Sequence, residues 1–183
     1  MSDIVLVHGF NVSDGGKASI DRLKPYLYDH NVIEFDYGWL GFFGVRFNKK
    51  KRAMKLVRMT PDGAIGIGHS NGCLELIRAC KLGAKYKRLI FVNPALDNDI
   101  EIPEQLERVD VYYHPDDTVV TLSKFRPFLY WGDMGRVGYQ GCDDRVVNHD
   151  VKELFGLTGT GAVAHSIAFR HSYQLASHAG LCQ

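Results

Sequence analysis

The chain has 183 residues, of which 45% are hydrophobic and 23% charged, and its formal net charge is +1. This length suits one hydrophobic core, and the composition is that of an ordinary globular domain. The near-zero charge gives no global reason to expect nucleic acid as a partner, and no run approaches the roughly 20 apolar residues that cross a bilayer.

The N-terminus, Met1 to Val7, has neither a basic leader nor a small-residue cleavage site. It reads as a strand and not as a signal peptide, so a cytoplasmic location is expected. Ile4 to Val7 is continuously apolar, as in a strand covered on both faces, and His8-Gly9-Phe10-Asn11 follows as a loop. Lys17 to Tyr28 carries Ile20, Leu23 and Leu27 at helical spacing. Asn31 to Tyr37 is a second strand, leading into the aromatic, glycine-broken stretch Trp39 to Val45. A basic helix runs from about Phe47 to Met59 and is stopped by Pro61-Asp62-Gly63.

Ala64 to Ile67 is a third strand that enters Gly68-His69-Ser70-Asn71-Gly72, and Cys73 to Leu82 is a helix. Arg88 to Val92 and Val109 to Tyr113 are the fourth and fifth strands. An irregular segment from about Leu122 to Asp144 precedes a sixth strand, Arg145 to Asn148. The glycine-rich loop Gly156 to Gly161 then leads to His165 and a final helix from Ser166 to about Ser177. Strands alternating with helices predict a three-layer α/β/α sandwich with a mostly parallel sheet of about six strands. With no repeat and no linker, residues 1–183 are expected to form one domain with a lid-like insertion around 122–144.

The four cysteines, Cys73, Cys80, Cys142 and Cys182, contain no Cys-x-x-Cys pair. Cys73 and Cys80 share a helix face but lie about 10 Å apart along it, too far for a disulfide, so reduced buried thiols are expected. No metal or organic cofactor is anticipated.

The pentapeptide around Ser70 has the pattern Gly-x-Ser-x-Gly, which alone is a modest signal. Its setting, ending an apolar strand and opening a helix, is what a nucleophile elbow requires. Glycines at 68 and 72 leave room where strand and helix backbones converge around a strained serine. The helix start behind Ser70 directs its dipole and free N–H groups at a developing oxyanion.

On these residues the chain resembles the α/β-hydrolase family over nearly its whole length, which implies that family's minimal fold and a serine-hydrolase chemistry. The His8-Gly9-Phe10-Asn11 loop matches the family's first oxyanion element. The resemblance thus implies backbone N–H donors from Phe10 and from Asn71, the residue after the nucleophile. The family's acid follows a later strand, and Tyr113-His114-Pro115-Asp116-Asp117-Thr118-Val119 fits in two registers, with Asp117 favoured over Asp116. The family's histidine lies between the last strand and a C-terminal helix, where Ala164-His165-Ser166 stands. His149 is the rival, too early for the glycine-rich loop to deliver it. His171 and His178 fall in the final helix, and His69 is expected to point away from the chemistry in a structural role. The order Ser70, Asp117, His165 is that of α/β-hydrolases.

The implied activity is cleavage of a small-molecule or lipid-like carboxylic ester or thioester. Amide or peptide cleavage by the same triad is one alternative. A non-catalytic binding protein working through the basic helix is another. The aromatic segments Trp39 to Val45 and Lys124 to Gly135 either wall a substrate pocket or pack on each other. Seven basic residues, from Arg46 to Arg58, have no acidic residue among them. They form either a patch for an anionic partner or one solvated helix face, the second being favoured. The sequence does not speak to oligomeric state.

Overall fold

The computed structural model describes residues 1–9, 17–37, 48–119 and 132–182. Its centre is a six-stranded sheet: β1 Asp3–Val7, β2 Asn31–Phe35, β3 Ile65–His69, β4 Arg88–Val92, β5 Arg108–Tyr113 and β6 Val146–Asp150. The spatial order is β2-β1-β3-β4-β5-β6, and every neighbouring pair is parallel. The central strands are apolar on both faces because helices cover both, while the edge strands β2 and β6 are partly exposed. Val5, Val7, Leu89 and Phe91 pack on one side, while Ile4, Leu6, Ile90 and Val92 pack on the other. This is the three-layer α/β/α sandwich anticipated from the strand and helix alternation.

On the first side lie α2 (Lys49–Met59) and α3 (Asn71–Lys81), which bury Leu56, Cys73, Leu76 and Cys80. On the second side lie α1 (Lys17–Ile20), the 3₁₀ turn Asp21–Tyr26 and the C-terminal helical segments. Helix α2 stops at Thr60, which is extended (ψ 117°) ahead of Pro61, as the ring of a following proline demands. Both thiols of α3 are free and buried, and burial pushes Cys80 up to about 12.

Three elements differ from the expectation. The first helix passes into 3₁₀ geometry before Pro25, whose missing N–H and ring oppose a continuing α-helix. A short helix, Val151–Phe155, follows β6, capped by Asp150 Oδ1 accepting from the N–H groups of Lys152 and Glu153. The single final helix is instead three pieces: Ala162–Ser166, a 3₁₀ turn Ile167–His171, and Ser172–His178. Ser172 Oγ marks the second join by donating to Phe169 O at 2.6 Å. His165 therefore sits inside a short helix and not in a loop. Within the insertion around 122–144, Met134–Val137 is a helical turn, and residues 122–131 lie outside the described residues. The aromatic residues from Trp39 to Val45 and from Lys124 to Trp131 lie outside them too.

Candidate active site

In an open parallel sheet the crevice forms at the carboxyl ends of strands where the order reverses. Here that point lies between β1 and β3, and the loop after β1 and the turn after β3 meet there. A Cβ placed on Gly9 would stand 3.2 Å from Ser70 Cβ and 2.9 Å from His69 Nδ1. On Gly72 it would stand 2.2 Å from the carbonyl oxygen of Val7, an approach that only glycine permits.

Ser70 has φ 51° and ψ −119°, a conformation that costs a non-glycine residue on the order of 1–3 kcal/mol. Three hydrogen bonds hold it there. Its N–H donates to Val92 O (3.1 Å), and its carbonyl accepts from the N–H groups of Cys73 and Ala95 (3.2 Å each). Asn71 is the first residue of α3, so its N–H is one of the donors left unpaired at a helix start. Phe10, the other expected donor, lies outside the described residues.

Of the two candidate acids, Asp117 lies against His165, with 2.7 Å between Oδ2 and the ring Nδ1. A carboxylate only accepts, so Nδ1 carries the proton and Nε2 is left as the basic nitrogen. Asp117 is fully buried, and its other donors are Asn93 Nδ2 (3.0 Å) and the N–H of Val119 (3.1 Å). Asp116 is turned outward to Lys152 Nζ at 2.9 Å. Among the described residues, no hydrogen bond joins Ser70 Oγ to His165 Nε2. Such contacts are often long until substrate tightens a site.

His69 does not point away. Its Nε2–H donates to His165 O (3.0 Å), and its ring centroid lies 5.0 Å from those of both His165 and Phe169. Burial, with His165 beside it, lowers its pKa to about 3 and keeps it neutral. The rival His149 belongs to another cluster: its Nε2 donates to Asp110 Oδ1 at 2.9 Å, and its ring stacks on Tyr112. His178 shares that cluster through Tyr112 Oη, 2.8 Å from its Nδ1.

Three residues in this region, Asn93, His114 and Tyr37, carry contacts that the sequence did not single out, and His8, expected from its loop, makes one more. Asn93 (φ 46°) is fully buried and fixes the Asp117 carboxylate; its signal was an Asn-Pro pair at the end of β4. His114 braces the acid loop, with Nε2 donating to Leu157 O at 3.2 Å and Nδ1 accepting from the N–H of Asp116. Tyr37 Oη stands 2.8 Å from the carbonyl oxygens of both His8 and Gly9, and accepts from Asn71 Nδ2 at 3.3 Å. His8 stacks on the Tyr37 ring at 4.0 Å and donates from Nδ1 to Gly9 O. Tyr37 had no local signal, because only the sheet brings the ends of β1 and β2 together.

Among the described residues, no group of three or more His, Cys, Asp or Glu is placed to hold a metal ion. No helix among them is long and apolar enough to cross a membrane.

No protein-family profile and no curated protein matches the chain in sequence. Solved structures do match it in shape. Lipase B of Aspergillus fumigatus superposes with a TM-score of 0.56 at 13% identity over 85% of this chain, which spans only 46% of the lipase chain. A YdeN-like protein of Pectobacterium atrosepticum gives 0.52 at 16% identity, covering 100% of this chain and 94% of its own. A protein of the α/β hydrolase superfamily from Xanthomonas campestris gives 0.50 at 15% identity, covering 98% and 99%. The chain thus has the α/β-hydrolase fold, and the two bacterial chains are its match in length.

Proposed function

We propose that the chain is a serine hydrolase that cleaves a carboxylic ester or thioester of a small or lipid-like substrate through an acyl-enzyme. The observation that carries this reading is the Asp117–His165 pair at 2.7 Å, at the sheet edge where the strained Ser70 turn and the Gly9 loop converge.

In this mechanism Ser70 Oγ attacks the carbonyl carbon while its proton passes to His165 Nε2. Asp117 holds the tautomer and stabilises the imidazolium. The oxyanion is bound by the N–H of Asn71 and, from the first loop, the N–H of Phe10, each worth about 3 kcal/mol in the transition state. Collapse of the tetrahedral species expels the alcohol or thiol, which takes the proton from Nε2. Water then attacks the acyl-enzyme, giving its proton to Nε2 and releasing the acid and Ser70. None of these steps calls for a metal or an organic cofactor.

The test is labelling with a fluorophosphonate probe, followed by mapping of the modified peptide. The label is expected on Ser70. Ser70→Ala should abolish both labelling and p-nitrophenyl ester turnover while leaving the circular dichroism unchanged. A folded, unlabelled wild-type protein, or label retained in the variant, overturns the reading.

A further inference from the structure

A cavity of about 610 Å³ lies between the end of β2 and helix α2. Phe35, Tyr37 and Met54 are among the residues that line it, Phe35 itself being almost wholly buried. Over it stand Lys51, Lys55 and Arg58, which follow one another at i, i+4 and i+7 on one helix face, about 10 Å from first to last. All three are exposed, and among the described residues none has a carboxylate partner. Lys55 Nζ lies 5.6 Å over the Phe35 ring. A fourth cation, Arg52, reaches the other way to Glu75 at 3.2 Å. Among the described lining residues the one acid is Asp36, which is 3.4 Å from His8 Nε2.

Like charges in this spacing oppose one another, so the helix carries a repulsion that an anion between them would relieve. A flat lipid surface fits this geometry poorly. The apolar face of α2 is already buried, through Ala53 and Leu56, and is not free to enter a bilayer. A concave site with cations on one wall and aromatic carbon on the other suits a small organic anion.

The cavity also adjoins the nucleophile turn. Phe35 and Gly68 both pair with Val7, from opposite sides of β1, so they lie about 10 Å apart across the sheet. Tyr37, which lines the cavity, carries the hydroxyl that meets Gly9 O and Asn71 Nδ2. We infer that the cavity binds the carboxylate or phosphate of a small organic anion, and that the preferred substrates are esters bearing such a group at the end remote from the scissile carbonyl. The second clause rests on the proposed hydrolase activity; the first does not.

Titration calorimetry with hexyl phosphate tests the site without turnover. Wild type should bind it and ignore hexanol. The double variant Lys51→Glu/Arg58→Glu should bind at least about tenfold more weakly, as loss of close charge pairs brings. Lys81→Glu, an exposed lysine at the end of α3, should bind as wild type does. Equal binding by the double variant, equal binding of hexanol, or attachment only to phosphatidylglycerol vesicles overturns the inference. For the substrate clause, p-nitrophenyl hemisuberate should exceed p-nitrophenyl octanoate in kcat/KM in wild type, and the double variant should lose that preference. No preference in an active enzyme overturns this clause. Failure to cleave either ester sinks the hydrolase reading, while calorimetry still decides the site.

Discussion

Strand β5 and the loop behind it present two fully buried aspartates, each hydrogen-bonded to a histidine: Asp110 to His149 at 2.9 Å and Asp117 to His165 at 2.7 Å. The first pair belongs to an ion cluster. Asp110 also accepts from Arg88 (2.7 Å) and from Arg108 (2.7 Å), so two guanidinium groups balance its charge whatever the imidazole does. Among the described residues, Asp117 receives neutral donors only, from Asn93 and Val119, besides His165. An imidazolium at 165 would therefore be the sole cation bonded to that carboxylate, which is the condition under which a buried acid stabilises a transient proton acceptor. Geometry alone makes the two pairs look alike; their surroundings differ in the way expected if Asp110 serves structure and Asp117 serves the proposed chemistry.

The largest effects should come from neutralising each acid. Asp117→Asn should lower kcat on the order of 10⁴-fold, by analogy with other triads, with little change in urea unfolding. Asp110→Asn should do the reverse, leaving activity per folded molecule intact while costing about 3 kcal/mol of stability, because two arginines lose their partner. That cost is moderated by Arg108, whose side chain is 50% exposed. A comparable loss of activity in both variants would erase the distinction.

Acid should separate the same two regions. Burial opposes charge on Asp110, but the bonds from His149, Arg108 and Arg88 outweigh it and hold the carboxyl far below its ordinary value. Its stabilisation is fully present above about pH 4 and is lost as pH falls further. His69 is depressed to about 3, so below pH 6.5 the unfolded chain takes up a proton that the folded one refuses. Its contribution therefore falls by up to about 1.4 kcal/mol per pH unit from about 6.5 downward. His178, lowered by burial and by His149, acts in the same direction and more weakly at its more exposed position. Unfolding free energy measured between pH 7 and 4 should slope downward in wild type and flatten markedly in His69→Gln. An unchanged slope would remove His69 from the account.

The sequence made the sheet legible because strands buried on both faces are written as apolar runs, and Ser70 legible because its turn needs glycines on both sides. The pairing of Asp117 with His165 was readable from their order along the chain and from short flanking patterns, while their catalytic role remains part of the proposal. The choice against Asp116 became physical only once Lys152 was seen to draw that side chain outward. His69 has the structural role expected of it, but the direction of its ring was not legible, because it meets a segment almost a hundred residues later, a contact that no local pattern encodes. Tyr37 was hidden for the same reason, at the end of a strand whose neighbour is fixed by topology.

Tyr37 offers the smallest and most pointed test. Its single hydroxyl proton is shared between the carbonyls of His8 and Gly9, and burial pushes its pKa up, so it remains a phenol throughout the working range of pH. Tyr37→Phe keeps the stack on His8 but releases both carbonyls and the amide of Asn71. Losing a hydrogen bond of this kind costs about 1 kcal/mol, near a fivefold change when it appears in a rate. If Tyr37 positions the loop after β1 against the Ser70 turn, the loss should fall on kcat, with KM for a neutral ester nearly constant and the thermal midpoint lower by only a few degrees. A change in KM alone, confined to the anionic hemisuberate ester, would assign the hydroxyl to the wall of the anion cavity. A change in stability alone would place Tyr37 with Asp110, among the residues that hold the sheet and not those that aim the nucleophile.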